Sequence, residues 1–329
     1  MNCFYCDRIE ASDPTSERLR SWLGAMPASG GEVRPLEVAR REYQSHTEIK
    51  LTYEGEPGER IPAYLLLPRH APAGRLPAVF AAHQCAWLCD VGKEQVVGHC
   101  VDLPDQAYGL ELVREGFVVL APDANKVGER FDARLRPQWQ RAHSQPEQRN
   151  CCCASGGSWG HPRWKPVFDV MRGLDFLCQE PRVDPDRIGM IGHSLGADTT
   201  LWTMPFEPRI KVAAVSGTGI IKEWACDGWN PYALPFAELL AELAPRPFFE
   251  VTGRRDPCNF LDDQESLWTD AKMARKRGAY AAASSVYAER GCRDGVELWE
   301  HDGAHCFPAE GRQRFYAWLK RWLQMPEAK

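Results

Sequence analysis

The chain has 329 residues, 44% hydrophobic and 26% charged, with a formal net charge of −5. That is the composition of a globular protein with a large core, and neither a basic excess nor a long run of one sign points to nucleic acid or an anionic membrane surface. The opening stretch MNCFYCDRIEASDPTSERLR has no apolar leader core, and no uncharged apolar stretch approaches the ~18 residues of a membrane span, so the expectation is a soluble, cytoplasmic protein. Thirteen cysteines in such a chain read as reduced thiols. Cys3-x-x-Cys6 and Cys151-Cys152-Cys153 have no second pair at ligand spacing, so no metal is expected at either.

In chain order, Asp13-Pro14 reads as an N-cap and N1 proline opening a helix to about Met26. Residues 47–67 alternate on either side of a Gly/Pro turn, the pattern of an antiparallel hairpin. Short apolar runs then recur at 77–82, 116–121, 187–192, 210–215, 247–252 and 296–300, mostly separated by helical patterns. Val167, Val170, Met171, Leu174 and Leu177 mark one such helix. Phe315, Trp318, Leu319, Trp322 and Leu323 mark the last. Near-continuous apolar strands alternating with helices imply an α/β fold, a mostly parallel central sheet flanked by helices. Residues 125–165 and 217–245 are long interruptions. The first, rich in arginine, glutamine, glycine, cysteine and tryptophan, is expected to form a lid-like insertion over the site.

The segment RIGMIGHSLGADTT places Gly192-His193-Ser194-Leu195-Gly196 between a strand signal and a helix signal. That is the context of a nucleophile elbow, in which the serine sits on a strained turn and the following helix N-terminus faces the developing oxyanion. A serine hydroxyl needs a base and an acid to orient that base, in the order Ser, Asp/Glu, His. Asp256 follows the strand signal of FFEVTGRRDP, and His301 and His305 follow that of VELWEHDGAHCFP. All three segments therefore deliver a candidate to the rim where ligands bind in open α/β sheets. His305, in a loop with more reach, is preferred to His301. Asp262 and Asp263 are rival acids farther into their loop, and Glu250 lies inside its strand. The oxyanion hole needs two backbone donors. The N–H of Leu195 is one, and that of Cys85, or else Gln84, after the first central strand is the other. His83, Gln84, Trp87, His193 and Trp224 are expected to line the substrate pocket, with Trp159 and Trp229 as further aromatic candidates.

With these residues in view the chain resembles an α/β-hydrolase of the dienelactone-hydrolase and acetylxylan-esterase-like group. The resemblance rests on His83-Gln84-Cys85, Gly92-Lys93-Glu94, VVLAPD ending at Asp123, Gly128-Glu129-Arg130, DPDRIGMIGHSLGA, VTGRRDP and GAHCFP. It runs from about residue 45 to 325 and implies the α/β-hydrolase fold and a triad of Ser194, Asp256 and His305; residues 1–45, which it leaves unexplained, are expected to be a helical extension before a catalytic domain at 46–329. Dienelactone hydrolase proper carries a cysteine at the elbow, where this chain has Ser194. The expected activity is hydrolysis of short-chain acyl esters through an acyl-enzyme, with no metal or organic cofactor and a small-molecule ester as partner. Self-association is left open. A serine peptidase of the prolyl-oligopeptidase type, an acyltransferase and a non-catalytic binding protein are the alternatives. No propeller repeats precede the elbow, and all three triad members are present.

Overall fold

The computed structural model describes residues 14–71, 73–85, 90–132, 134, 162, 164–218, 235–256 and 270–324. Its centre is a nine-stranded sheet in the order β1-β2-β3-β5-β4-β6-β7-β8-β9. Strands β1 (Leu36–Glu42), β2 (His46–Glu54) and β3 (Arg60–Pro68) form an antiparallel meander. The β2–β3 pair is the hairpin expected at 47–67, with Thr47 opposite Leu67. Strand β3 pairs antiparallel with β5 (Val118–Pro122). From there β5, β4 (Leu76–Ala82), β6 (Val183–His193), β7 (Ile210–Ser216), β8 (Phe248–Gly253) and β9 (Val296–His301) run parallel. Each of the six apolar runs read from the sequence is one of these strands.

Side chains on successive strand residues point to opposite faces, and both faces of the central strands are covered. Ala78, Phe80, Met190, Val215 and Phe248 pack with helices α4 (Trp164–Gln179), α5 (Leu195–Thr203), α6 (Phe236–Leu243) and α7 (Asp270–Glu289). Val79, Ile191, Val212, Phe249 and Val251 pack on the other face with α3 (Tyr108–Arg114) and α8 (Ala309–Trp322). The two helical stripes of the sequence behave as expected. Val167, Val170, Met171, Leu174 and Leu177 of α4 are buried, as are Phe315, Trp318 and Leu319 of α8 and Leu323 just past its end. Between β4 and α3 lies a single helical turn, α2 (Lys93–Val96).

The N-terminal segment differs from the helical extension read at 1–45. Helix α1 (Pro14–Leu23) is present, but Leu36–Glu42 is β1, paired with β2, so the sheet begins before residue 46. Every residue of β1 is exposed, and its alternation stops after Leu36-Glu37-Val38, too short a run to announce a strand in sequence. Most of the 125–165 insertion, and Cys3, Cys6 and Cys151–Cys153, lie outside the described residues. The described part of 217–245 contains α6.

Strands β5 and β6 lie on opposite sides of β4, so the connections leaving β4 and β5 run in opposite directions across the sheet. Such a switch point opens a crevice at the carboxyl ends of the flanking strands. His83–Cys85 leaves β4 there, and Ser194 leaves β6.

Candidate active site

Strand β6 ends at His193 and helix α5 begins at Leu195, with Ser194 between them at φ 54° and ψ −117°. A positive φ on a non-glycine residue is sterically strained and persists only where its surroundings hold it. Here the Ser194 N–H donates to Ser216 O at 2.9 Å, which ties the turn to the end of β7. Gly196 makes the turn possible from the other side. A Cβ built there would lie 2.0 Å from Ala82 O and 3.0 Å from His83 O, so the first turn of α5 rests on the backbone ending β4.

The acid and histidine segments are joined by their own backbones. Arg254 N–H donates to His301 O at 2.8 Å, and Arg255 N–H to Gly303 O at 3.0 Å. A Cβ on Gly253 would lie 2.3 Å from Ala304 O, so the histidine loop crosses directly over the end of β8. This brings His305 Nδ1 to 2.8 Å from Asp256 Oδ2, with Asp256 1% exposed. A carboxylate only accepts, so Nδ1 carries the proton and Nε2 is left as the basic atom. Gly217, one residue beyond the Ser216 that holds Ser194, sits against the pair. Its Cβ would meet His305 Cε1 at 2.9 Å and Asp256 Oδ2 at 3.3 Å. The serine turn, the histidine and the carboxylate thus converge on the end of β7.

The rival residues have other partners. His301 Nδ1 accepts the Gly303 N–H at 3.0 Å and its ring stacks on Trp299, so it shapes the turn that carries His305. Glu250 is fully buried on the α7 side of the sheet, ion-paired with Lys276 and accepting from the hydroxyls of Thr218 and Tyr280 at 2.6 and 2.7 Å. Asp262, Asp263, Trp87, Trp159, Trp224 and Trp229 lie outside the described residues.

His83 and His193, expected on the pocket wall, are buried behind the rim. The His193 ring lies against that of His305, tilted by 30° at 4.8 Å, and stacks on that of Phe307 at 5.9 Å between ring centroids. Its Nδ1 lies 3.1 Å from Ser216 O, an acceptor, so Nδ1 bears the hydrogen. Burial, and then the nearby His305, push its pKa down to about 3. His83 is held as one neutral tautomer, with Nδ1 donating to Gln84 O at 2.6 Å and Nε2 accepting from Ala124 N–H at 2.9 Å. Burial pulls its pKa down as well.

Behind the Gln84–Cys85 turn stands a buried ionic cluster. Asp123, just past β5, accepts the Lys93 N–H at 2.9 Å, Lys93 Nζ at 2.6 Å and the Glu129 N–H at 3.0 Å. Lys93 Nζ also reaches Glu94 and Glu129, at 3.0 and 2.5 Å. Burial opposes the charge on Lys93, but these carboxylates outweigh it and hold its pKa above the ordinary lysine value. A Cβ on Gly92 would lie 2.2 Å from Asp123 Oδ1, so the glycine and the aspartate occupy adjoining space. The sequence shows the Gly-Lys-Glu, Pro-Asp and Gly-Glu-Arg stretches, but nothing in their spacing says that they meet.

Comparison with known proteins agrees with this architecture. Residues 158–243, which contain the elbow, match the model of the prolyl oligopeptidase family. Over 308 residues the chain is 27% identical to the protein named "Putative hydrolase YtaP" of Bacillus subtilis, covering 88% of this chain and 92% of that one. A solved structure from Bacteroides fragilis, named a "putative acetyl xylan esterase", superposes with a TM-score of 0.59 at 16% identity, over 87% of this chain and 73% of that one. Methylesterase BT1017 superposes with a TM-score of 0.66 at 18% identity over 95% of this chain, which spans 63% of that longer protein. With its mostly parallel sheet, its switch point beside β4 and its strand–serine–helix turn, the chain is an α/β-hydrolase-fold protein.

Proposed function

We propose that this chain is a serine hydrolase acting on carboxylic esters, with Ser194 as nucleophile, His305 as general base and Asp256 as the acid that orients it. The observation that carries the reading is the 2.8 Å contact between His305 Nδ1 and buried Asp256, made across the end of β7, to which the strained Ser194 turn is also tied. In the reaction Ser194 Oγ attacks the ester carbonyl while His305 Nε2 takes its proton. The tetrahedral oxyanion accepts hydrogen bonds from the N–H groups of Leu195 and Cys85, each worth about 3 kcal/mol in the transition state. His305 then returns the proton to the leaving alcohol, and Asp256 stabilises the imidazolium. Water attacks the acyl-enzyme by the same route. These steps use side chains and backbone of this chain throughout.

Esters are preferred as substrates because two of the structurally similar proteins are a "putative acetyl xylan esterase" and a methylesterase by name. The two names differ in which side of the ester is small, so they support the bond type more than its substituents. A short acyl group, acetyl to butyryl, is the substrate proposed for this chain. The match to the prolyl oligopeptidase family favours a second reading, in which the same acyl-enzyme forms from a peptide.

One panel tests both. Wild type should label with a fluorophosphonate and hydrolyse p-nitrophenyl acetate and butyrate faster than octanoate or laurate, with little turnover of peptide anilides. Ser194→Ala should lose labelling and at least ~10³-fold in kcat while keeping its melting temperature. A Ser194→Ala protein that retains a tenth of the activity removes the nucleophile assignment. Faster turnover of anilides than of esters replaces esterase by peptidase, and a preference for octanoate or longer removes the short acyl pocket.

A further inference from the structure

The turn that leaves β4 is closed by one side chain. Gln95, fully buried in α2, directs its carboxamide between the two ends of the segment Gln84–Val91. Its Nε2 donates to Gln84 O at 3.2 Å and to Val91 O at 3.1 Å. Its Oε1 accepts from Gln84 Nε2 at 3.1 Å. Both backbone partners are carbonyls, which only accept, so the orientation of the amide follows from the chemistry. Gln84 O takes a second donor, His83 Nδ1, at 2.6 Å. His83 is itself fixed from behind by the Ala124 N–H, and α2 is fixed by the bonds of Lys93 to Asp123. One peptide carbonyl is thus gripped by two buried donors from two different elements.

That peptide joins Gln84 to Cys85. In a trans peptide the N–H points opposite to the C=O and shares its plane, so holding the carbonyl at Gln84 sets the direction of the Cys85 N–H. The same strand end carries the serine elbow against it, through the close approach of Gly196 to Ala82 O and His83 O. We infer that Gln95, acting with His83, is a positioning residue that aims the Cys85 N–H at the reacting carbonyl oxygen. The inference rests on the serine-hydrolase reading above and adds the part that pre-orients its oxyanion hole. A donor already aimed at the oxyanion needs no reorganisation during the reaction, and a misplaced one loses most of its effect.

Gln95→Leu removes both donated bonds, and Gln95→Glu keeps the volume and the acceptor for Gln84 while removing the amide donor. The measurements are kcat and KM on p-nitrophenyl acetate, the inhibition constant of an aryl trifluoromethyl ketone, which forms an oxyanion on the serine, and the melting temperature. The expected result is a loss of about 10- to 100-fold in kcat with KM changed less than about threefold. Ketone affinity should weaken by about the same factor as kcat/KM. If Gln95→Leu does not fold, the Gln95→Glu protein is read in its place. A folded variant with kcat within about twofold of wild type, or with its whole loss in KM, overturns the inference and leaves the hydrolase reading intact. A wild-type protein inert to both esters and fluorophosphonate overturns the two together.

Discussion

His193 occupies the position before the proposed nucleophile, yet its ring turns inward and lies on His305 rather than on a substrate. Kept neutral down to about pH 3, it stays uncharged beside the imidazole proposed as the general base. This has a consequence for stability. An unfolded histidine binds a proton near pH 6.5, whereas folded His193 does not until about pH 3. Between those values the unfolded chain binds more protons, so stability falls as pH is lowered through this window, by up to about 1.4 kcal/mol per pH unit from this residue. Burial pushes His83 and His301 in the same direction. Urea unfolding at pH 7 and pH 4.5 should show the fall, and His193→Gln should flatten it; equal slopes for the two proteins would contradict the neutral buried imidazole. His301, at the end of β9, and His305, in the loop after it, separate by activity. His305→Ala should cost at least ~10³-fold in kcat, as loss of a triad base does, whereas His301→Ala should cost much less because it disturbs only the turn at Gly303. Reversed effects would exchange their roles.

Among the elements, the end of β7 is where the site is assembled, and Gly217 is the residue that lets it happen. Its φ of +67° favours glycine, and a Cβ there would press on the His305 ring at 2.9 Å. Gly217→Ala should therefore move the imidazole by a few tenths of an ångström and lower kcat about 10- to 100-fold, the order expected for a misplaced catalytic group. The melting temperature should fall by only a few degrees, because the displaced loop lies at the rim. Unchanged kcat in a folded Gly217→Ala protein would show that the histidine loop can give way without cost.

For the molecule as a whole, the N-terminal segment is part of the core. Leu19 and Val33 are buried with the residues around α4, and Leu23 packs on Val167 and Met171. The Gly30 and Val33 N–H groups donate to Asp175 and Gln179 of α4, and Arg172 of α4 donates to Gly30 O. Losing three buried aliphatic side chains at about 1.5–3 kcal/mol each is a large fraction of a domain's stability. Deletion of residues 1–35 should lower the unfolding free energy by about 5 kcal/mol, read by chemical denaturation. A truncated protein as stable as the full chain would mark the segment as a detachable extension.

What the sequence alone determined is whatever is written in local periodicity and order. Strands β4 to β8 are short apolar runs because they are covered on both faces, β9 is a half-buried run at the sheet edge, and α4 and α8 show their buried stripes at helical spacing. The serine turn is legible because glycine, serine and glycine must stand two residues apart where a strand meets a helix. The order of acid and histidine is legible because each follows a strand end. Strand β1 was not, since LEVARRE buries nothing and is a strand only through its pairing with β2. Nor were Gly217, His193 and the Lys93–Asp123 cluster, whose partners lie tens of residues away in the chain, or Gln95, whose bonds to Gln84 and Val91 follow no helical or strand period. Their roles depend on which strand ends become neighbours at the switch point, and β4, β5, β6 and β7 become neighbours only when the sheet closes its core. Polar contacts of that kind leave no period in a sequence; they are decided by the tertiary packing that buries them.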